Sequence, residues 1–578
     1  MPTLRGLLVH SRRGRARLAL GAMLAVPIAT LAPLLAGCSE QAVDDGSTRG
    51  TLVVYLATMK DGTSRNQYAL QIDGNESDER SLVFDAAPPD LPAGTEIKVW
   101  GGMRGEALAV NRWEIVSSEP ASELGRAREA IIDGTPYPSR TFGYLLVNIG
   151  GGNGSYTEAA ARVDLFGTGA SDGSVKQWFL EASYGRQDIS GNVAAGLSFD
   201  MTGCDYSALA NGLRSQANSA LGITPQHYLW FFLTDNSACA WSGLASVGSA
   251  MSPARDTWYN ASSSCVVLVQ EPAHNFGMQH SSSLRCGSSS FTNNPSSCTH
   301  DEYGDRHDPM GGACRHTNGW QKGYQGWFGG CNSVRVNQSG TFTLHPLEVE
   351  CNGIQVLQIP MPVTTRTIPR SGGGGNPSND PVQYYYLELR TRMGFNQSNT
   401  TYPTVLVRVG PDYRSRTQTG LHTWILDMNP STTGRDQFEG LGAGQSFTDP
   451  AGGVSFSVQS ISATSASIQV TVPTNTSNTC AFGGGNLTAP GPATCSATGG
   501  MGGMGGMGGT AGRGGAGAGG TAGRGGAGGT AGRGGAGGTG GTAGRGGAGM
   551  MGGNGGLAAG AGGAGSGGMM AGSGGMTA

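Results

Sequence analysis

The sequence has no Cys-x-x-Cys pair, no cysteine between Cys38 and Cys204, and no acidic residue before Cys38 or after Cys495. The missing pair argues against a zinc ribbon. The missing acids leave two basic ends on an acidic body. Five arginines precede Cys38 and four lie in the tail, so residues 38–495 carry −12 although the whole chain carries −3. Such a body argues against a nucleic-acid surface. From Ser496 to Ala578 there is neither an aromatic residue nor a proline. Without aromatics, 496–578 has nothing to bury and reads as a disordered, Gly-rich, low-complexity tail. Without proline, a collagen helix is excluded. The unit Thr-Ala-Gly-Arg-Gly-Gly-Ala-Gly recurs there from Thr510, Thr521, Thr530 and Thr542.

What is present begins with an export signal. Arginines come first, followed by the apolar stretch Leu18 to Leu35. Pro27 and Pro33 interrupt that stretch and argue against a membrane-spanning helix. Leu35-Ala36-Gly37-Cys38 resembles a bacterial lipobox, which implies removal of residues 1–37 and a lipid on Cys38. Ser39 favours the outer membrane or cell surface, by the pattern of bacterial lipoproteins. Ten cysteines remain from Cys204 to Cys495. An even number in an exported chain reads as disulfides, with connectivity left open. The short separations Cys286 to Cys298, Cys314 to Cys331 and Cys480 to Cys495 are the simplest pairings.

At 578 residues, two or three domains are expected. Residues 38–50 suit a tether. Residues 51–118 hold short strand candidates between turn residues and read as a small β domain. From 135 to 345 the pattern alternates: Phe142 to Ile149 and Tyr228 to Leu233 are apolar runs, while Tyr156 to Leu165, Ser174 to Ser183 and Tyr206 to Leu221 have helical spacing. That alternation predicts an α/β domain. Strand candidates return over 346–480 and predict a sandwich-like β domain. The fold class expected is multidomain α+β, with the α/β domain set between two β-rich ones.

The chemistry gathers in Val269-Gln270-Glu271-Pro272-Ala273-His274-Asn275-Phe276-Gly277-Met278-Gln279-His280, whose skeleton is QExxHxxGxxH. Residues four apart on a helix share a face, so Gln270 and His274 can reach one metal ion. Gly277 lets the chain leave the helix sharply, and His280 returns as a third ligand. Glu271 is placed to take a proton from water. Downstream, Glu302-Tyr303-Gly304-Asp305-Arg306-His307-Asp308-Pro309-Met310-Gly311 carries a methionine in a turn.

These motifs resemble the gametolysin family of metzincin metallopeptidases, in its variant with Gln in place of the first His of HExxHxxGxxH. Trp178 to Arg186, Cys239 to Ala245, Ser339 to Leu347 and Tyr385 to Arg390 extend the likeness, which covers roughly residues 50–475. The resemblance implies a metzincin-like catalytic domain over 135–345. It implies Gln270, His274 and His280 as metal ligands, Glu271 as catalytic base and Met310 as the turn methionine. It implies one divalent metal ion, with zinc first and copper the alternative left open by the amide ligand. Its substrates are expected to be extracellular or cell-wall proteins. A cysteine switch is excluded, since no cysteine lies between Cys38 and Cys204. The domain at 51–118 reads as a permanent accessory, because the lipid is attached ahead of it.

Pro272 bears on this reading. In the first turn of a helix it costs little. In the interior it removes a hydrogen bond. The alternative function is a catalytically inactive surface protein that binds protein or glycan through the same cleft. His300, His307 and His316 read as solvent-exposed loop histidines, and Trp320, Tyr324 and Trp327 as core.

Overall fold

The structure is a computed structural model. It describes residues 46–495 apart from 73–77, 87, 118–137, 152–153, 168–172, 251, 370–378, 414–422, 432–437, 482–484 and 488–493. The signal segment, Cys38 and the tail 496–578 lie outside the described residues, as do positions 38–45 of the expected tether.

Five strands open the fold: β1 (Ser47–Met59), β2 (Ser64–Ile72), β3 (Glu79–Phe84), β4 (Glu96–Arg104) and β5 (Ala107–Ser117). They run in the order β2-β3-β5-β4-β1, and β2 also pairs with β1, so the five close on themselves. Leu52, Val54 and Leu56 of β1 enter their core beside Leu70, Ile97 and Val110. The intervening Tyr55 and Ala57 enter a different core, with Trp230, Trp241 and Trp258. One strand thus serves two cores through its two-residue period.

The second core belongs to β6 (Arg140–Ile149), β7 (Ile189–Phe199), β8 (His227–Phe232), β9 (Trp241–Ser246) and β10 (Asp256–Asn260). β1 pairs antiparallel with β9 from Tyr55 opposite Ser246 to Met59 opposite Trp241. The order then continues β9-β10-β8-β6-β7, giving one ten-stranded sheet. β10, β8, β6 and β7 are parallel, and β9 is antiparallel to β10. Helices α1 (Glu158–Phe166), α2 (Val175–Ala182), α3 (Tyr206–Leu221) and α4 (Cys265–Asn275) accompany these strands. Phe142, Tyr144 and Phe231 share a core with Trp178, Phe179 and Val267 of α2 and α4. On the other face Leu145, Val147 and Phe232 meet Leu209 and Leu213 of α3.

In the second half, β11 (Ser281–Arg285), β12 (Thr299–Asp301) and α5 (Gly319–Gln325) come first. They are followed by β13 (Ser333–Arg335), β14 (Gln338–Leu344), β15 (Val356–Pro360), β16 (Thr367–Pro369) and β17 (Asn379–Pro381). Next are β18 (Tyr384–Arg390), β19 (Thr404–Gly410), β20 (Thr423–Leu426) and β21 (Ser446–Thr448). The last are β22 (Ser455–Ile461), β23 (Ala466–Asn475) and β24 (Thr479–Cys480). An eight-stranded sheet (β12-β11-β20-β19-β18-β15-β13-β24) and a four-stranded sheet (β14-β23-β22-β21) share one core, in which Tyr385, Leu387 and Val407 meet Phe342, Phe456 and Ile468. β16 and β17 pair separately.

Among the described residues strand accounts for 42 % and helix for 15 %, in five helices. This corrects the expected fold class, a metzincin-like α/β domain between two β-rich ones. Two joins explain the difference. β1 continues past its own core onto β9, so the N-terminal strands and the central strands form a single sheet. β11 and β12, which directly follow the QExxHxxGxxH segment, belong to the eight-stranded sheet with the C-terminal strands.

Buried ions also tie the parts together. Arg408 of β19 pairs with Asp305, and both side chains are fully buried. Arg390 of β18 donates to the carbonyls of Thr317, His307 and His316. All ten cysteines of the body are paired: Cys204–Cys239, Cys265–Cys314, Cys286–Cys298, Cys331–Cys480 and Cys351–Cys495. Of the simple pairings only Cys286–Cys298 forms. The others fail because β24 returns to β13, carrying Cys480 back to Cys331. Five disulfides place the chain in an oxidising, extracytoplasmic setting. Among the described residues no helix is long and apolar enough to cross a membrane.

Candidate active site

Helix α4 starts where Ser264 accepts from the Val267 N–H, an ordinary N-cap. It ends at Asn275, and Gly277 follows at φ 80°. A Cβ there would lie 2.6 Å from the Gly248 carbonyl oxygen, so the sharp exit after the helix requires glycine on two counts. Pro272 is the eighth residue of α4 and is therefore interior, not in the first turn. It supplies no N–H to the Leu268 carbonyl one turn earlier. The Tyr259 hydroxyl of β10 donates to that carbonyl instead, at 3.4 Å.

Gln270, Glu271, His274 and His280 are all buried, at 1 %, 0 %, 0 % and 0 % exposure, and helical periodicity puts Gln270 and His274 on one face of α4. The His274 and His280 rings lie edge to face, 4.9 Å between centroids. His274 Nδ1 donates to the Met278 carbonyl at 2.7 Å, which leaves the lone pair on Nε2. His280 Nδ1 donates to Glu302 Oε1 at 2.7 Å, again leaving the lone pair on Nε2. Burial and the neighbouring His280 hold His274 well below the ordinary imidazole pKa, so its ring is neutral. A carboxylate behind a ligating imidazole is the usual orienting partner at metal sites. Met310 is fully buried in the core that holds Val269, Ala273 and Met278 of the motif segment. Its N–H donates to Asp308 and its carbonyl accepts from the Ser281 N–H.

Three buried atoms here have no hydrogen-bond partner: Gln270 Nε2, Glu271 Oε2 and His274 Nε2. An unpaired buried polar atom costs roughly 1–3 kcal/mol. Rotation about the last side-chain bond of Gln270 exchanges Nε2 for the oxygen. A cation among these side chains would satisfy the imidazole nitrogen and the amide oxygen at once, so the donor set fits a divalent ion. Two imidazoles and a neutral amide suit zinc, with the amide the weakest of the three donors. Elsewhere among the described residues, His345, Cys351 and Cys495 bring ligand atoms within 4.8 Å of one another. The two sulfurs are joined as a disulfide, so that group offers no thiolate.

Glu271 reaches away from α4 across Gly243 of β9, where a Cβ would lie 2.2 Å from its Oε1. Its Oε1 accepts from the Thr58 hydroxyl of β1 at 2.8 Å. Burial pushes the carboxyl up to about 8, against the lowering effect of that hydroxyl. The Tyr303 ring packs 4.4 Å from His280, and its hydroxyl lies 3.4 Å from Thr58 Oγ1. Ser64 at the start of β2 donates to Glu302 Oε1 at 2.5 Å.

Thr58, Ser64 and Glu302 carry no signal in the sequence. Thr58 and Ser64 lie 213 and 238 residues from their partners. The flanking histidines also differ from expectation. His307 is buried against Tyr402 and the Phe438 carbonyl, and His316 is buried against Glu181. Comparison of the chain with protein-family models and with curated proteins gives no match.

Proposed function

We propose that this chain is an exported, lipid-anchored, metal-dependent endopeptidase acting on proteins outside the cytoplasm. What supports the reading is that Gln270 and His274 share one face of α4, both buried, with the His280 ring 4.9 Å from the His274 ring and His274 Nε2 buried without a partner. The anchor is Cys38, held at the outer membrane or cell surface. The likeness of QExxHxxGxxH to the gametolysin family supports the same chemistry.

Gln270, His274 and His280 would hold the ion, through an amide oxygen and two Nε2 atoms. A divalent ion so held supplies Lewis acidity toward a peptide carbonyl and a water. Glu271 takes the water's proton and passes it to the leaving amine. An adjacent cation lowers the carboxyl's proton affinity and favours the base form it needs. Glu302 and the Met278 carbonyl fix the tautomer and the orientation of the two imidazoles. Met310 packs beside the motif segment and contributes no donor. No nucleophilic Ser or Cys is required.

The test is metal content of the purified full chain, with turnover of a denatured protein measured on the same sample. One bound zinc or copper ion per chain with turnover is expected. A folded, metal-free chain that cuts nothing points instead to an inactive surface protein binding protein or glycan.

A further inference from the structure

The four site residues are buried although they belong to a centre that must admit a polypeptide. The start of the described chain lies against the site, where Thr58 meets Glu271 and Ser64 meets Glu302. β9 is the strand nearest Glu271, since the carboxyl lies over Gly243. One edge of β9 pairs with β10 and the other with β1, from Tyr55 to Met59. An extended peptide that approached Glu271 by adding to the edge of β9 would need the place β1 holds. The register of β1 on β9 shifts between Thr58 and Met59. Irregularities of this kind re-aim side chains. Thr58 stands opposite Gly243 and donates to Glu271, and the Tyr303 hydroxyl reaches the same Thr58. Five residues beyond β1, Ser64 donates to Glu302, the carboxylate behind His280. The same hairpin therefore touches both the proposed base and the residue that orients a proposed ligand.

We infer that β1 and the start of β2 are an intramolecular inhibitor of the site, and that β1 must separate from β9 before substrate can bind. The inference rests on the peptidase reading. It replaces the expectation of a passive accessory domain by a latency device that uses Thr58 in place of a cysteine. β1 is held on two sides, by Leu52, Val54 and Leu56 in its own core and by Tyr55 and Ala57 in the central core. Only the second set has to be released.

Ala57 and Leu244 are directly opposed across the two strands. In the full chain, the double variant Ala57→Cys, Leu244→Cys can be cross-linked without removing any site residue, because opposed strand residues lie within disulfide reach. Turnover and metal content are compared for the oxidised double variant, each single variant and Thr58→Ala. The expected result is turnover at background in the double variant, retained turnover in the singles, and the same metal content in all. Thr58→Ala should cut about fivefold faster, the open fraction rising with the loss of one hydrogen bond. A cross-linked double variant as active as the singles overturns the inference and leaves the peptidase reading intact. If neither the wild type nor any variant cuts, the peptidase reading fails and the inference falls with it.

Discussion

His280 Nδ1 and Glu302 Oε1 lie 2.7 Å apart, and the same carboxylate oxygen accepts from Ser64. The bond places the imidazole lone pair on Nε2 and fixes the ring's orientation. Glu302→Gln keeps the shape and removes the charge. Metal affinity should fall by about 10–100-fold, the usual effect of losing such a partner. Competition against a chelator of known affinity measures it. An unchanged affinity would remove Glu302 from the site.

Pro272 and the Leu268 carbonyl form the second relationship. The proline withholds an N–H from the preceding turn, and Tyr259 supplies a hydroxyl at 3.4 Å in its place. Pro272→Ala restores the helical donor but leaves a small void in a packed site. A stabilisation of about 1–2 kcal/mol is expected, less than the full ~3 kcal/mol helix penalty. Tyr259→Phe should cost less in that background than in the wild type. Denaturant unfolding of the four proteins gives the cycle, and a purely additive pair contradicts the substitution of one donor for the other.

His227 sets an acid limit on stability. It is buried between Phe142 and Phe276, with ring centroids 4.9 and 5.2 Å away. Burial, and then the charge of Arg140, pushes its pKa down to about 4, against smaller contributions from Asn275 and the Ala254 backbone. The unfolded chain takes up the proton first, near pH 6.5. The stability due to the neutral ring is complete above that pH and is lost as pH falls toward 4, at roughly 1 kcal/mol per pH unit. His227→Phe fits the same aromatic cluster and should flatten the thermal midpoint between pH 6.5 and 4. Equal slopes for wild type and variant would contradict this account.

The contrast between local and distant information explains what was legible. Gln270 and His274 share a face of α4 because they lie four apart on one helix, and Gly277 turns the chain because its φ is positive. Both follow from a dozen adjacent residues. The segments around 158–166, 175–182 and 206–221 are helices for the same local reason. Sheet membership is a different matter. Tyr55 and Ala57 look like any alternating strand residues until β9 appears opposite them, and no local feature announces that partner. For that reason the N-terminal strands read as a separate domain, and the contact of Thr58 with Glu271 has no local signal. The same holds for Cys331 and Cys480, joined across 149 residues by the pairing of β13 with β24.

The central claim is that Glu271 moves protons beside an ion held by Gln270, His274 and His280. Turnover of a denatured protein by metal-loaded Glu271→Ala, set against the wild type at equal metal content, tests it most directly. Removing a positioned general base should slow the reaction by about 100- to 10,000-fold while the metal stays bound, since Glu271 is not among the ligands. Full activity in the metal-loaded variant would contradict the account.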